Sequence, residues 1–286
     1  MLVAARNIAK AWLLVLALVG LFALFGWLLD GVRGLSIFVF CALLVAAGAY
    51  WTFDRVVLGM LGARELPVAE APLLHSTVER LSSRAGILKP RLYLIPDGLP
   101  IAAATGRGVR SSAVIVSTGC VAACAPAELE GVLAHEIAHV RLHDVQIQTA
   151  AAVAAAVLLE TSRIGGWLER SLLFVLAPVA AACVHLLVSP KREFAADRFA
   201  AKVCDSPHGL ADALGRLEQA SELVGFEGSP ATEPLLTINP FAEEWPARLF
   251  VTHPPAGERV RRLRELDPSP EPDHEKEPLS RPFSRK

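Results

Sequence analysis

Charge is absent from two long apolar stretches near the start of the chain, Trp12–Leu29 and Leu35–Trp51. A helix needs about 20 apolar residues to cross a bilayer, with a lower limit near 17, and both runs reach it. Asp30–Gly34, between them, predicts a tight hairpin turn. The first run is too long for a signal peptide's apolar core and a second span follows at once, so a retained anchor is expected. Arg6 and Lys10 precede the first run, Arg55 and Arg64 follow the second, and Arg33 is the basic residue between them. Basic residues favour the cytoplasmic side, so both outer ends are expected there. Two more apolar runs, Val145–Leu159 and Leu172–Val188, flank a polar loop holding Glu160, Arg163, Glu169 and Arg170; Pro178 interrupts the second. They predict a second hydrophobic hairpin over 145–188 that crosses the bilayer, the alternative being a hairpin buried inside the protein.

Between these runs the pattern changes to mixed periods. Pro72–Ala85 predicts an amphipathic helix with its proline in the first turn, where no N–H is missed. Arg91–Pro96 and Ser112–Ser117 predict strands, with Asp97–Gly108 as turn residues between them. A helix is expected from Pro126 to about His143, followed by helices at Arg192–Val203 and Gly209–Leu223, a loop-rich stretch over Gly225–Trp245 and a last helix at Gly257–Leu266. The proline-rich, charged tail from Pro268 to Lys286 predicts disorder. No internal repeat is visible. The expected organisation is a transmembrane hairpin over 1–54, the first part of a catalytic domain over 55–144, the hairpin at 145–188, the second part of the catalytic domain over 189–266, and a disordered tail over 267–286.

Composition agrees with a membrane anchor. Of 286 residues 53% are apolar, and mean hydropathy is +0.42, against about 45–50% apolar for a soluble domain. Net charge is -1, which gives no electrostatic case for nucleic acid. Cys41, Cys120, Cys124, Cys183 and Cys204 form no disulfide framework, and the C-x-x-x-C spacing of Cys120 and Cys124 is not that of a zinc knuckle. Scattered cysteines fit a reducing compartment, so the catalytic part is expected in the cytosol.

The candidate chemistry lies in His135-Glu136-Ile137-Ala138-His139. Helix positions four apart share a face, so His135 and His139 are placed to converge on one zinc ion. Glu136, about a third of a turn away, is placed as general base for a water bound there. Two histidines on an ordinary helix are the plain alternative; the small apolar flanks Gly131–Ala134 and Ile137–Ala138 argue for a buried site helix instead. A third ligand is available downstream in Glu193, with Asp197 four residues on. Asp197 is placed to accept an N–H from a ligand histidine, which fixes the ring. Pairing these motifs requires both on one membrane face, which the intervening pair of runs permits by crossing twice or not at all. His253, in the rigid Thr252-His253-Pro254-Pro255 turn, is a candidate donor to the oxyanion of a tetrahedral intermediate. His143 is a spare ligand candidate, although its place at the helix end suits the dipole. His185 is expected to face protein or headgroups, and His75, His208 and His274 to lie on the surface.

The set H-E-I-A-H with Asp144 after it, S-P-K-R-E-F-A-A-D, and T-H-P-P followed by E-R-V-R-R-L resembles the HtpX family of membrane zinc proteases, which is related to the CAAX prenyl protease. The resemblance covers the chain from the first span to about Leu266. It implies one zinc per chain, with Glu193 as third ligand, Asp197 as its supporting aspartate, His253 near the substrate and Arg259 in a structural role. It also implies polypeptide substrates, among them misfolded membrane proteins, in stress-linked quality control at the cytosolic face of the plasma membrane; oligomeric state stays open. One departure concerns substrate: an N-A-F-A-like stretch is replaced by Ile101-Ala102-Ala103-Ala104. That segment is expected to precede an edge strand at Ser112–Ser117, where an extended peptide adds by β-augmentation. The expected fold is α+β and mainly helical, a zincin-like metallopeptidase core with a small edge sheet on a helical transmembrane anchor. A catalytically silent membrane scaffold with the same fold is the rival reading.

Overall fold

The computed structural model describes residues 2–163, 169–206, 208–222, 229–237 and 245–266. Helix α1 spans Leu2–Met60 with non-helical backbone at Asp30 and Gly31. The chain folds back there. Phe25 and Phe38 stand with ring centroids 5.6 Å apart, whereas thirteen residues of straight helix would separate them by about 20 Å. A Cβ on Gly26 or Gly34 would strike the backbone of the other, so glycine permits the two arms to touch. Leu28, Leu29, Val32, Phe40 and Val45 project outward and are largely exposed. The apolar segment Phe22–Val45, which spans both arms across this reversal, and Glu169–Leu187 (α6) have the length and apolarity of membrane-crossing helices.

Four strands follow: β1 (Arg64–Glu65), β2 (Arg91–Ile95), β3 (Ala102–Gly108) and β4 (Ser111–Ser117), with α2 (Pro72–Arg84) between the first two. They order as β1-β2-β4-β3, β2 and β4 parallel and the other pairs antiparallel. Strand β4 is buried on both faces. Val114 and Val116 pack with Leu81, Leu92, Leu133, Ile137 and Leu214, while Ala113 and Ile115 pack with Val57, Tyr93, Ile101 and Ala152 on the opposite side. Its unbroken apolar run is the signature of a strand covered twice.

Asp97–Gly108 does not consist of turn residues throughout, because Ala102–Gly108 forms β3. Its small side chains have low strand propensity but let the strand lie close to the helices beneath it. In consequence Ser111–Ser117 is an interior strand and β3 is the edge beside it. That edge is occupied: Thr237 N–H donates to the Ala102 carbonyl at 3.0 Å, Gly106 N–H donates to Thr149 Oγ1 at 3.2 Å, and the Gln146 amide donates to the Arg107 carbonyl.

Helices α3 (Thr118–Ala123), α4 (Pro126–Arg141), α5 (Val145–Arg163), α6 (Glu169–Leu187), α7 (Pro190–Val203), α8 (Gly209–Glu222) and α9 (Ala256–Arg264) complete the described chain, with 3-10 turns at Pro230–Leu235 and Ala247–Phe250. Pro126 opens α4, and Glu128 reaches back to accept the Ala125 N–H at 2.7 Å, satisfying one orphan donor. His143, at φ 61, turns the chain sharply after α4, and α5 leaves at 90°. Helix α5 buries Ala151, Ala155 and Leu159 against Ala177, Ala180 and Val184 of α6, with Phe250 closing the group. Helix α6 also shows Phe174, Val175 and Leu186 to the outside. Residues 225–228 and 238–244 of the stretch expected to be loop-rich, Leu223 at the end of the helix expected over Gly209–Leu223, and the tail after Leu266 with His274 lie outside the described residues. His75 is not on the surface; it is buried and Nε2 bonds the Leu66 carbonyl at 2.8 Å. His208 is half-buried, and exposed His185 bonds the Leu249 carbonyl at 2.8 Å.

Candidate metallopeptidase site

Helix α4 is the floor of the site. It is buried along Val132–Val140, so its polar residues in that stretch, His135, Glu136 and His139, are held in the protein interior. Contact with α8 is closest at Gly131 and Gly209, where any Cβ would meet the facing backbone. Helix α7 packs against α4 and brings Glu193 to both histidines.

Three donor groups converge. His135 Nε2 and His139 Nε2 are 3.1 Å apart, Glu193 Oε2 is 3.4 Å from His135 Nε2, and Glu193 Oε1 is 3.5 Å from His139 Nε2. Tetrahedral N and O ligands at about 2.0–2.2 Å from zinc stand about 3.3–3.5 Å from one another. Both Glu193 oxygens are buried without a hydrogen-bond partner among the described residues. A buried carboxylate left in that state calls for a cation, so the donor set fits a metal ion. Burial disfavours charge on Glu193, yet His253 and His139 outweigh it and hold its carboxyl well below the usual range. Burial likewise opposes a charge on His139, but Glu193 and Asp144 hold its pKa up to about 10.

Each imidazole is fixed from behind by a carboxylate. His135 Nδ1 is 3.0 Å from Asp197 Oδ1, and Asp197 accepts two bonds from Arg259, from Nε at 3.0 Å and Nη2 at 2.7 Å. Burial raises the Asp197 carboxyl, and Arg259 and then His135 reverse this to bring it to about 2. Arg259 is 1% exposed and also donates to the Thr237 carbonyl at 2.8 Å. His139 Nδ1 is 3.3 Å from Asp144 Oδ2, and Arg192 donates through Nε to Asp144 Oδ1 at 2.7 Å. Both rings therefore sit in a His–carboxylate–Arg chain.

Glu136 points into the same space. Its Oε1 accepts from the Thr237 hydroxyl at 2.5 Å, and its Oε2 is buried without a partner among the described residues. His253 reaches the site from the chain before α9, with Nε2 3.5 Å from Glu193 Oε2. Its Nδ1 is held by Glu233 at 3.0 Å. Glu233 also accepts the Thr252 N–H at 2.9 Å and its hydroxyl at 2.7 Å. The structure thus brings His135, Glu136, His139, Glu193, Asp197 and His253 together, and leaves His143 outside in its turn. Asp144, Arg192, Glu233 and Thr237 are the residues that sequence reasoning did not assign. Asp144 had a signal, an acid directly past the site helix; Glu233 and Thr237 lie in a stretch without periodicity.

A His-Glu-x-x-His helix facing a carboxylate as third ligand, in a chain with apolar helices long enough for a bilayer, defines a membrane metallopeptidase. Comparison with known proteins narrows the class. A model of peptidase family M48 matches residues 69–267. The chain is 40% identical over 277 residues to a Protease HtpX homolog of Persephonella marina, covering 90% of this chain and 96% of that one. It is 38% identical over 274 residues to a Protease HtpX homolog of Pyrococcus furiosus, covering 90% and 95%. The crystal structure of S. mikatae Ste24p aligns at TM-score 0.45 and 18% identity, over 92% of this chain and 66% of that chain. The chain belongs to peptidase family M48, among its HtpX-like members.

Proposed function

We propose that the protein is a zinc endopeptidase that cleaves misfolded membrane polypeptides at the cytoplasmic face of a membrane it crosses more than once. The observation that carries this reading is the convergence of His135, His139 and Glu193 within 3.1 to 3.5 Å of one another. These three residues would hold one zinc ion per chain. When bound, zinc acts as a Lewis acid and lowers the pKa of a coordinated water toward about 7. Residues 1–54 and 145–188 serve as the anchor, and 55–144 with 189–266 as the catalytic domain. The cytoplasmic placement follows from the positions of Arg6, Lys10, Arg55 and Arg64 outside the first hairpin.

Glu136 takes the proton from the attacking water and delivers it to the leaving amine. Its unpartnered Oε2 is the oxygen available for that transfer, and a positioned general base contributes about 10²- to 10⁴-fold. The carbonyl oxygen of the scissile bond gains negative charge as the tetrahedral centre forms. His253 Nε2, on the Glu193 side of the site, donates to that oxygen, and Glu233 holds the ring so that Nε2 faces inward. Asp197 and Asp144 keep His135 and His139 from rotating; Arg259 keeps Asp197 charged, and Arg192 pairs with Asp144 from behind.

A helical membrane protein and a destabilised variant of it, each placed with the zinc-loaded protease in one nanodisc, test the substrate class. Cleavage of the destabilised form alone is expected. Equal cleavage of both would refute selection of misfolded chains.

A further inference from the structure

Away from the catalytic site, a recess of about 280 Å³ opens where α1 leaves its apolar stretch. Its wall carries Arg55, Lys89, Arg91, Arg107 and Arg110 against one carboxylate, Asp54, with Ser111 and Ser112 beside them. Asp54 is 4% exposed and lies 3.3 Å from Arg91 and 3.9 Å from Arg107. It fixes those two guanidiniums and neutralises only one of them. Lys89 reaches Glu79 at 3.1 Å. Arg55 and Arg110 make no ion pair among the described residues, and both are exposed on the rim. The basic residues surround a concavity, and a concave cluster of one sign concentrates the field on whatever enters it.

Location indicates the ligand. Asp54 and Arg55 fall within about one helical turn of Trp51, the last residue of the second apolar run. Trp51 is 67% exposed, and the Arg107 guanidinium lies over its ring at 5.3 Å. An exposed tryptophan at the end of a spanning helix marks the headgroup level. The mouth of the recess therefore sits beside lipid phosphates, and guanidiniums recognise phosphate oxygens in paired hydrogen bonds.

We propose that this recess is a phosphate-binding site, filled by the headgroup of an acidic phospholipid that ties α1 to the sheet through β2 and the β3–β4 turn. The site is separate from the catalytic residues, and its binding does not depend on peptidase activity. The test uses the full chain in an uncharged detergent, wild type and the double variant Arg55→Gln/Arg110→Gln, whose side chains are exposed and make no ion pair among the described residues. Thermal shift is titrated with dioctanoyl phosphatidylglycerol, dioctanoyl phosphatidylcholine and inorganic phosphate. Phosphatidylglycerol should bind wild type at least about tenfold more tightly than the double variant, with phosphatidylcholine giving no saturable shift. Inorganic phosphate matching the lipid, with the same dependence on Arg55 and Arg110, would support the phosphate site and assign it to the free anion. Equal phosphatidylglycerol affinity for both proteins, equal affinity for the two lipids, or no saturable binding would overturn it.

Discussion

Glu233→Gln isolates the contribution of one buried charge. The side chain is fully buried and accepts three hydrogen bonds, from the Thr252 N–H, the Thr252 hydroxyl and His253 Nδ1. Glutamine has the same shape. With its carbonyl in place of Oε1 it still accepts from Thr252 N–H and His253 Nδ1, and its amide turns to the Thr252 hydroxyl. The ring of His253 keeps its place, and only the charge is lost. A hydrogen bond to a charged group contributes about 1.5–3 kcal/mol against about 0.5–1.5 for a neutral one. The difference at His253 is then about 1 kcal/mol, or about fivefold in rate. Because Glu233 acts through His253, the loss should appear in kcat with KM nearly unchanged, and it should vanish when His253 is already alanine. Steady-state cleavage of a quenched fluorescent peptide by wild type, both single variants and the double variant provides the cycle. Equal losses in the two backgrounds would refute the argument, because Glu233 would then be acting on something other than His253.

Glu193→Ala should purify folded but retain less than about a tenth of the zinc held by wild type, measured by elemental analysis after gel filtration. Arg259→Met leaves Asp197 buried beside His135 without its guanidinium; a loss of about 3–5 kcal/mol in stability is expected, seen as a lowered thermal midpoint in detergent, with about 10- to 100-fold weaker zinc retention. Burial, and then Glu130 and Asp205, push the Cys204 thiol up to about 12. It should therefore resist maleimide at pH 8 in the folded protein and react only after denaturation, read by peptide mass spectrometry.

The sequence made the site helix legible because its chemistry is local. His135 and His139 are one turn apart, and the small residues around them leave room for close neighbours. Glu193 and Asp197 were readable for the same reason, as two acids on one helical face. What was not readable depends on a turn or a long loop. Asp144 meets His139 because the left-handed residue His143 bends the chain back toward the ring. Glu233 meets His253 across twenty residues that carry no period. Strand β3 escaped because Ala102–Gly108 has the composition of a turn and is held as a strand by its pairing with β4 and by Thr237 and Thr149. The occupied edge follows from those same contacts, which local pattern does not encode.

The central claim is that Glu136 performs peptide hydrolysis at a metal held by its helical neighbours. Wild type and Glu136→Gln, each stripped with chelator in detergent and reloaded to one zinc per chain, would be compared for cleavage of an unfolded test protein. Cleavage by wild type, with a loss of at least about a hundredfold in the variant at equal zinc content, is the expected result. A fully loaded Glu136→Gln protein that cleaves at the wild-type rate would contradict the account.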